Sequence, residues 1–102
     1  MTYARLSVWR FKKGQHQVGL KALYDTYLPK IRTAKGYRGS LHLEDAKDPD
    51  TIVFVTMWAT EEDFSNSKKE IFIQASKELE DSVMIMPDAS LYTVKSAELV
   101  NE

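Results

Sequence analysis

TIVFVTMWATEED, residues 51–63, carries two local signals end to end. From Thr51 to Trp58 the residues are β-branched, aromatic or otherwise apolar. Ile52, Phe54 and Trp58 fall on one face of a strand, and Val53, Val55 and Met57 on the other. A strand apolar on both faces is covered on both sides, so it belongs in the middle of a sheet. The stretch Thr60-Glu61-Glu62-Asp63 then reads as a helix start. It resembles a capping box with Asp in the place of Glu or Gln, and its carboxylates occupy the first turn, where the helix dipole favours them. A central strand closed by an aromatic thus runs straight into a capped helix.

The neighbours fall into place around this unit. DAKDPD (45–50) is turn chemistry. Before it, YRGSLHLE (37–44) alternates: Tyr37, Gly39, Leu41 and Leu43 on one face, Arg38, Ser40, His42 and Glu44 on the other. That pattern predicts a half-polar edge strand forming a hairpin with residues 51–58. Residues 16–34 predict a helix with Leu20, Leu23, Tyr24, Tyr27, Leu28 and Ile31 as its apolar stripe. Pro29 lacks an N–H and should kink or break it near Leu28; Gly36 suits its end. Residues 3–12 predict a first strand, with Leu6 and Val8 opposed to Ser7, Trp9 and Phe11. Downstream, Phe64, Ile71, Ala75, Leu79 and Val83 continue the second helix, with SNSKK (65–69) as a weak point inside it. Pro87-Asp88 predicts a turn, ASLYTVKS (89–96) a last strand, and AELVNE (97–102) a short tail.

The resulting order is β-α-β-β-α-β, the α+β, ferredoxin-like split βαβ arrangement, expected as one domain over residues 1–102. Its antiparallel sheet has the order 4-1-3-2, which makes the first and third strands central. Those are the two strands that are apolar on both faces. The helices cover one face only, so the other apolar face calls for a partner. A twofold homodimer, sheet face against sheet face, meets that need as a dimeric α/β barrel.

Composition narrows the function classes. The chain of 102 residues carries a net charge of −1, with basic residues matched by acidic ones. No basic surface for nucleic acid is implied. No apolar run is long enough to span a membrane. The segment MTYARLSVWRFKKG interrupts its apolar run with arginines, unlike a secretion signal, so a cytoplasmic location is expected. Cysteine is absent, which excludes disulfides, thiolate metal ligation and a cysteine nucleophile. With only two histidines and no ligand cluster in the sequence, no metal is expected.

Three stretches together, RFKKG (10–14), AKGYRGSLHLED (34–45) and VTMWATEEDF (55–64), resemble the antibiotic biosynthesis monooxygenase family of dimeric α/β barrels. The resemblance covers nearly the whole chain. It implies a pocket between sheet and helices, and a small-molecule oxygenase with no metal and no organic cofactor. Such an enzyme acts on an electron-rich phenol or quinol, bound as its anion, which reacts with O₂ directly. Alternatives of the same fold are a non-catalytic dimeric ligand-binding module and a haem-binding or haem-degrading protein. Trp58 matches the family's strand-end tryptophan. The asparagines that accompany it in family oxygenases have no counterpart in residues 3–12 or 51–58, and residues 60–83 contain no histidine.

The candidate catalytic residues are Trp58, whose indole N–H is a polar handle in an aromatic wall, and Ser7, the small hydrogen-bonding side chain of the first strand. Trp9, Tyr24, Tyr27, Phe54, Phe64 and His42 are the candidates for contact with a small aromatic substrate. His42 and His16 are also the first places to look for proton transfer near neutral pH, with His16, at the start of the first helix, expected to be solvated. The run Glu61-Glu62-Asp63 is assigned to helix capping.

Overall fold

The computed structural model describes residues 1–98; the end of the expected tail, 99–102, lies outside the described residues. Strand β1 (Thr2–Phe11) leads to helix α1 (16–33), strands β2 (Tyr37–Asp45) and β3 (Asp48–Trp58), helix α2 (61–78), and strands β4 (Val83–Ile85) and β5 (Ala89–Val94). The sheet order is β2-β3-β1-β4, with β5 also paired to β1. This is the predicted 4-1-3-2 order, and the fold is the antiparallel α+β, ferredoxin-like one.

The last strand comes in two pieces. β5 pairs with Thr2–Ser7, whereas β4 pairs with Arg10 and Phe11, with a register shift between those two residues. Val83, expected at the end of the second helical stripe, therefore belongs to β4, and α2 stops at Glu78. The side chain still reaches the core.

Both helices contain the irregularity their sequences hint at. In α1 the residues Leu23–Tyr27 form a π-turn, closed by the Leu28 N–H on the Leu23 carbonyl. Pro29 follows at the start of the resumed α-helix. It has no N–H to continue the i→i+4 ladder, and the chain absorbs this by widening the preceding turn. In α2 the π-turn is Lys68–Phe72, at the end of the SNSKK stretch. Thr60 caps α2 as expected: its hydroxyl accepts the Asp63 N–H at 3.0 Å.

The core lies between the helices and one sheet face. Trp9 and Phe11 of β1 and Ile52, Phe54 and Trp58 of β3 meet Leu23, Tyr27, Leu28 and Ile31 of α1 and Phe64, Ile71, Phe72, Ala75 and Leu79 of α2. Leu6, Val8, Val53, Val55 and Met57 therefore point to the helix-free face, which their partial burial reflects.

β2 departs from its predicted alternation. A bulge between Tyr37 and Gly39 sets Tyr37 opposite Trp58 and Gly39 opposite Met57. Tyr37 thus turns toward the helices, while Leu41 and Leu43, opposite Val55 and Val53, face away and are exposed. The polar face of β2, with Ser40, His42 and Glu44, is the one under the helices. A register slip of one residue reverses faces, and here the bulge does so for a single residue.

Candidate functional site

Trp58 stands at the closed end of the interior. It is 0% exposed. Its Nε1–H donates to the Thr56 hydroxyl at 2.9 Å, and Tyr37 packs edge-on at a centroid distance of 6.0 Å. The ring meets packed side chains on all sides. Phe64 is buried beside it, so neither aromatic lines an open cavity.

Further along the same face, Arg5 is buried at 3% exposure. Its Nε donates to the Thr56 hydroxyl and its Nη1 to the Ser67 hydroxyl, both at 3.2 Å. The guanidinium carbon lies 5.3–5.9 Å from the ring centroids of Phe72, Trp58 and Phe64. Among the described residues no carboxylate lies within ion-pair range of it. Burial alone pulls its pKa down to about 10. Ser7 is also buried; its hydroxyl accepts the Trp9 Nε1–H at 3.1 Å and reaches the Phe54 carbonyl at 3.4 Å. Trp9 stacks on Phe11 and meets Phe72 edge-on. Tyr27 is buried and donates to the Glu78 carboxylate. Burial, with the hydrogen bond and charge of Glu78, pushes its phenol up to about 12. Only small voids remain here: about 20 Å³ beside Arg5, Ser7 and Trp9, and about 10 Å³ between Trp9, Leu23 and Leu20.

The open end lies under β2. A cleft of about 250 Å³ is lined by Leu20 and Tyr24 of α1, His42, Leu43 and Glu44 of β2, and Ile52 of β3. His42 stacks on Phe54 at 4.2 Å between centroids, with the planes 9° apart. Its Nδ1 is 3.3 Å from the Tyr24 hydroxyl and its Nε2 3.2 Å from the Ser40 hydroxyl. Ser40 in turn accepts the Tyr37 O–H at 3.0 Å. Burial first, and then the charge of Arg32, holds the imidazole below its ordinary value of 6.5. His42 is therefore neutral at pH 7 and able to accept a proton. The other histidine, His16, is paired with Asp50 at 2.8 Å and is not among the residues that line this cleft. Tyr24, expected on the buried stripe of α1, is 47% exposed and lies within the π-turn.

The fold thus gathers His42, Tyr24 and Phe54 at one end, buries Ser7, Trp9 and Tyr27 in the middle, and seals Trp58 and Phe64 at the other. Arg5 is the residue that sequence reasoning passed over. Its parity with Ser7, Trp9 and Phe11 already placed it on the core face. Among the described residues, no group of three or more His, Asp or Glu side chains could hold a metal ion, and no helix is long and apolar enough to cross a membrane.

No family model matches the sequence, and no curated protein matches it. Solved structures do match in three dimensions. One is an antibiotic biosynthesis monooxygenase, with a TM-score of 0.77 at 17% identity over 92% of this chain and 99% of that one. Another is SnoaB, a cofactor-independent oxygenase from Streptomyces nogalater, with a TM-score of 0.76 at 9% identity over 94% and 95%. A conserved protein from Methanosarcina mazei Go1 gives 0.81 at 11% identity over 93% and 94%. The chain has the fold of the antibiotic biosynthesis monooxygenase structures, as its motifs implied.

Proposed function

We propose that this chain is a cofactor-free oxygenase of small aromatic phenols or quinols, working at the cleft under β2 as a cytoplasmic homodimer. The observation that carries the reading is His42, set between the Tyr24 and Ser40 hydroxyls at a cleft of about 250 Å³ that Leu20 and Ile52 also line. That volume suits a small aromatic ligand. His42 takes a proton from an anthrone- or phenol-type substrate, forming a resonance-stabilised carbanion or phenolate. The anion joins O₂ at carbon, and the proton taken up by His42 returns to the resulting peroxide to give a hydroperoxide. Loss of water leaves a new carbonyl, with one oxygen atom in the product and one in water. The protein supplies His42 as the base, with Leu20 and Ile52 as apolar walls beside it. Similarity to a cofactor-independent oxygenase supports this chemistry at the level of fold.

The test is oxygen uptake with anthrone as substrate in the presence of a chelator. One O₂ consumed per anthraquinone formed, at a rate proportional to protein, supports the proposal; a rate equal to the protein-free control refutes it. The homodimer rests on the helix-free face, where Leu6, Val8, Val53 and Val55 adjoin exposed Leu41 and Leu43. Val55→Asp is expected to shift sedimentation from dimer to monomer. A second reading, a non-catalytic ligand-binding module, is favoured by the interior voids of about 10 and 20 Å³, which admit no substrate unless side chains move. Binding of an aromatic ligand without any oxygen uptake would select it.

A further inference from the structure

Three spaces between the helices and the sheet share lining residues. The cleft at His42 shares Leu20 and Ile52 with the void of about 10 Å³, and that void shares Trp9 and Leu23 with the void of about 20 Å³ that ends at Arg5. The two voids are walled mainly by apolar and aromatic groups, and the inner one also touches Arg5. Both π-turns border that inner void: Leu23 and Tyr27 from α1, Ile71 and Phe72 from α2. Helices widened in this way have carbonyls released from the regular ladder and recur at functional sites.

A buried charge is normally matched by an opposite one, because leaving water costs it several kcal/mol. Arg5 has two neutral hydroxyls and three aromatic rings as company instead. These satisfy hydrogen bonds and offer cation–π attraction, but they leave the net charge unmatched. A guanidinium presents five donors in a fixed fork, and only Nε and Nη1 have protein partners among the described residues. Arg5 thus keeps donors without a protein partner among the described residues, beside a void of about 20 Å³.

We propose that Arg5 holds the ionised oxygen of a flat aromatic ligand that reaches it through the His42 cleft, with Leu23 and Trp9 moving to join the two voids. This assignment rests on the cleft reading above and adds its specificity: the ligand is an aromatic oxyanion, a phenolate or aryl carboxylate, and not a neutral arene. His42 and Arg5 then divide the work. The first removes a proton at the mouth, and the second stabilises the charge that results.

Calorimetric titration with naphthalene-2-carboxylate and its neutral analogue naphthalene-2-carboxamide tests this. The wild-type chain is expected to bind the carboxylate about tenfold to a hundredfold more tightly, the range of a hydrogen bond to a charged group. Arg5→Gln should erase that preference while leaving amide binding in place, and Arg5→Lys should restore part of it. Arg32→Gln, which removes the exposed cation near His42, should keep it. Should Arg5→Gln fail to fold, the Arg5 Nε–H resonance of the wild-type protein still reports: it should shift with the carboxylate and stay fixed with the amide. Equal binding of both probes by the wild-type chain, a preference abolished by Arg32→Gln instead, or an unmoved Arg5 resonance overturns the assignment and leaves the cleft reading standing. Failure of both probes to bind overturns both.

Discussion

Trp58 and His42 sit on the same face of the same sheet, and both are aromatic groups with polar atoms to satisfy. Trp58 is sealed: its one donor is matched by Thr56, and rings and backbone close around it. His42 is half-buried, faces a cleft, and has both ring nitrogens against hydroxyls that can donate or accept. Size and aromaticity do not separate a structural side chain from a functional one here. What separates them is whether the polar atom still has a protonation choice and whether solvent or a ligand can reach it.

The difference can be broken or sharpened by substitution. Trp58→Ala should have the largest effect, a loss of about 3–5 kcal/mol in urea unfolding, typical of an aromatic removed from a core. Thr56→Val comes next. The hydroxyl accepts from both Trp58 and Arg5, so an apolar replacement of the same shape strands two buried donors. Its expected cost is about 1–3 kcal/mol for each stranded group, read from the same unfolding curve. At the open end, Tyr24→Phe should change stability by no more than about 0.5 kcal/mol. It should still weaken aromatic-ligand binding measurably, because His42 loses a hydroxyl partner. A large stability loss from Tyr24→Phe would erase the contrast between the two ends.

The smallest expected effect is on pH dependence. The fold favours neutral His42, since its pKa lies below the ordinary 6.5. Its contribution to stability is therefore complete above pH 6.5 and is lost as pH falls from 6.5 through the lower folded value. Below that value this group adds no further change. His42→Gln should flatten that part of the unfolding-midpoint profile, and an unchanged profile would place the titration elsewhere.

Much of this was legible before any coordinates. Ile52, Phe54 and Trp58 alternating with Val53, Val55 and Met57 named the central strand, and the element order followed with its sheet order. The capping of α2 by Thr60 was equally plain, because it depends on residues next to one another. The site was harder. Tyr24 keeps step with Leu20, Leu23 and Tyr27 and so reads as core, yet it lies exposed within the π-turn Leu23–Tyr27. His42 reads from the sequence only as a residue on the polar face of an edge strand, and the register is what places that face under the helices. Leu41 and Leu43 extend the helix-free apolar face. Arg5 was hidden by its charge: a cation between apolar neighbours reads as solvated until the sheet register shows which face it shares.

The central claim is that the chemistry belongs to the His42 end and not to Trp58. It is tested most directly by the turnover rate of anthrone oxidation for His42→Gln against the wild-type chain, near neutral pH with chelator present. The account predicts a fall of about a hundredfold or more, the usual contribution of a positioned base, with an unfolding midpoint close to wild type. An unchanged rate in a folded His42→Gln protein would contradict it.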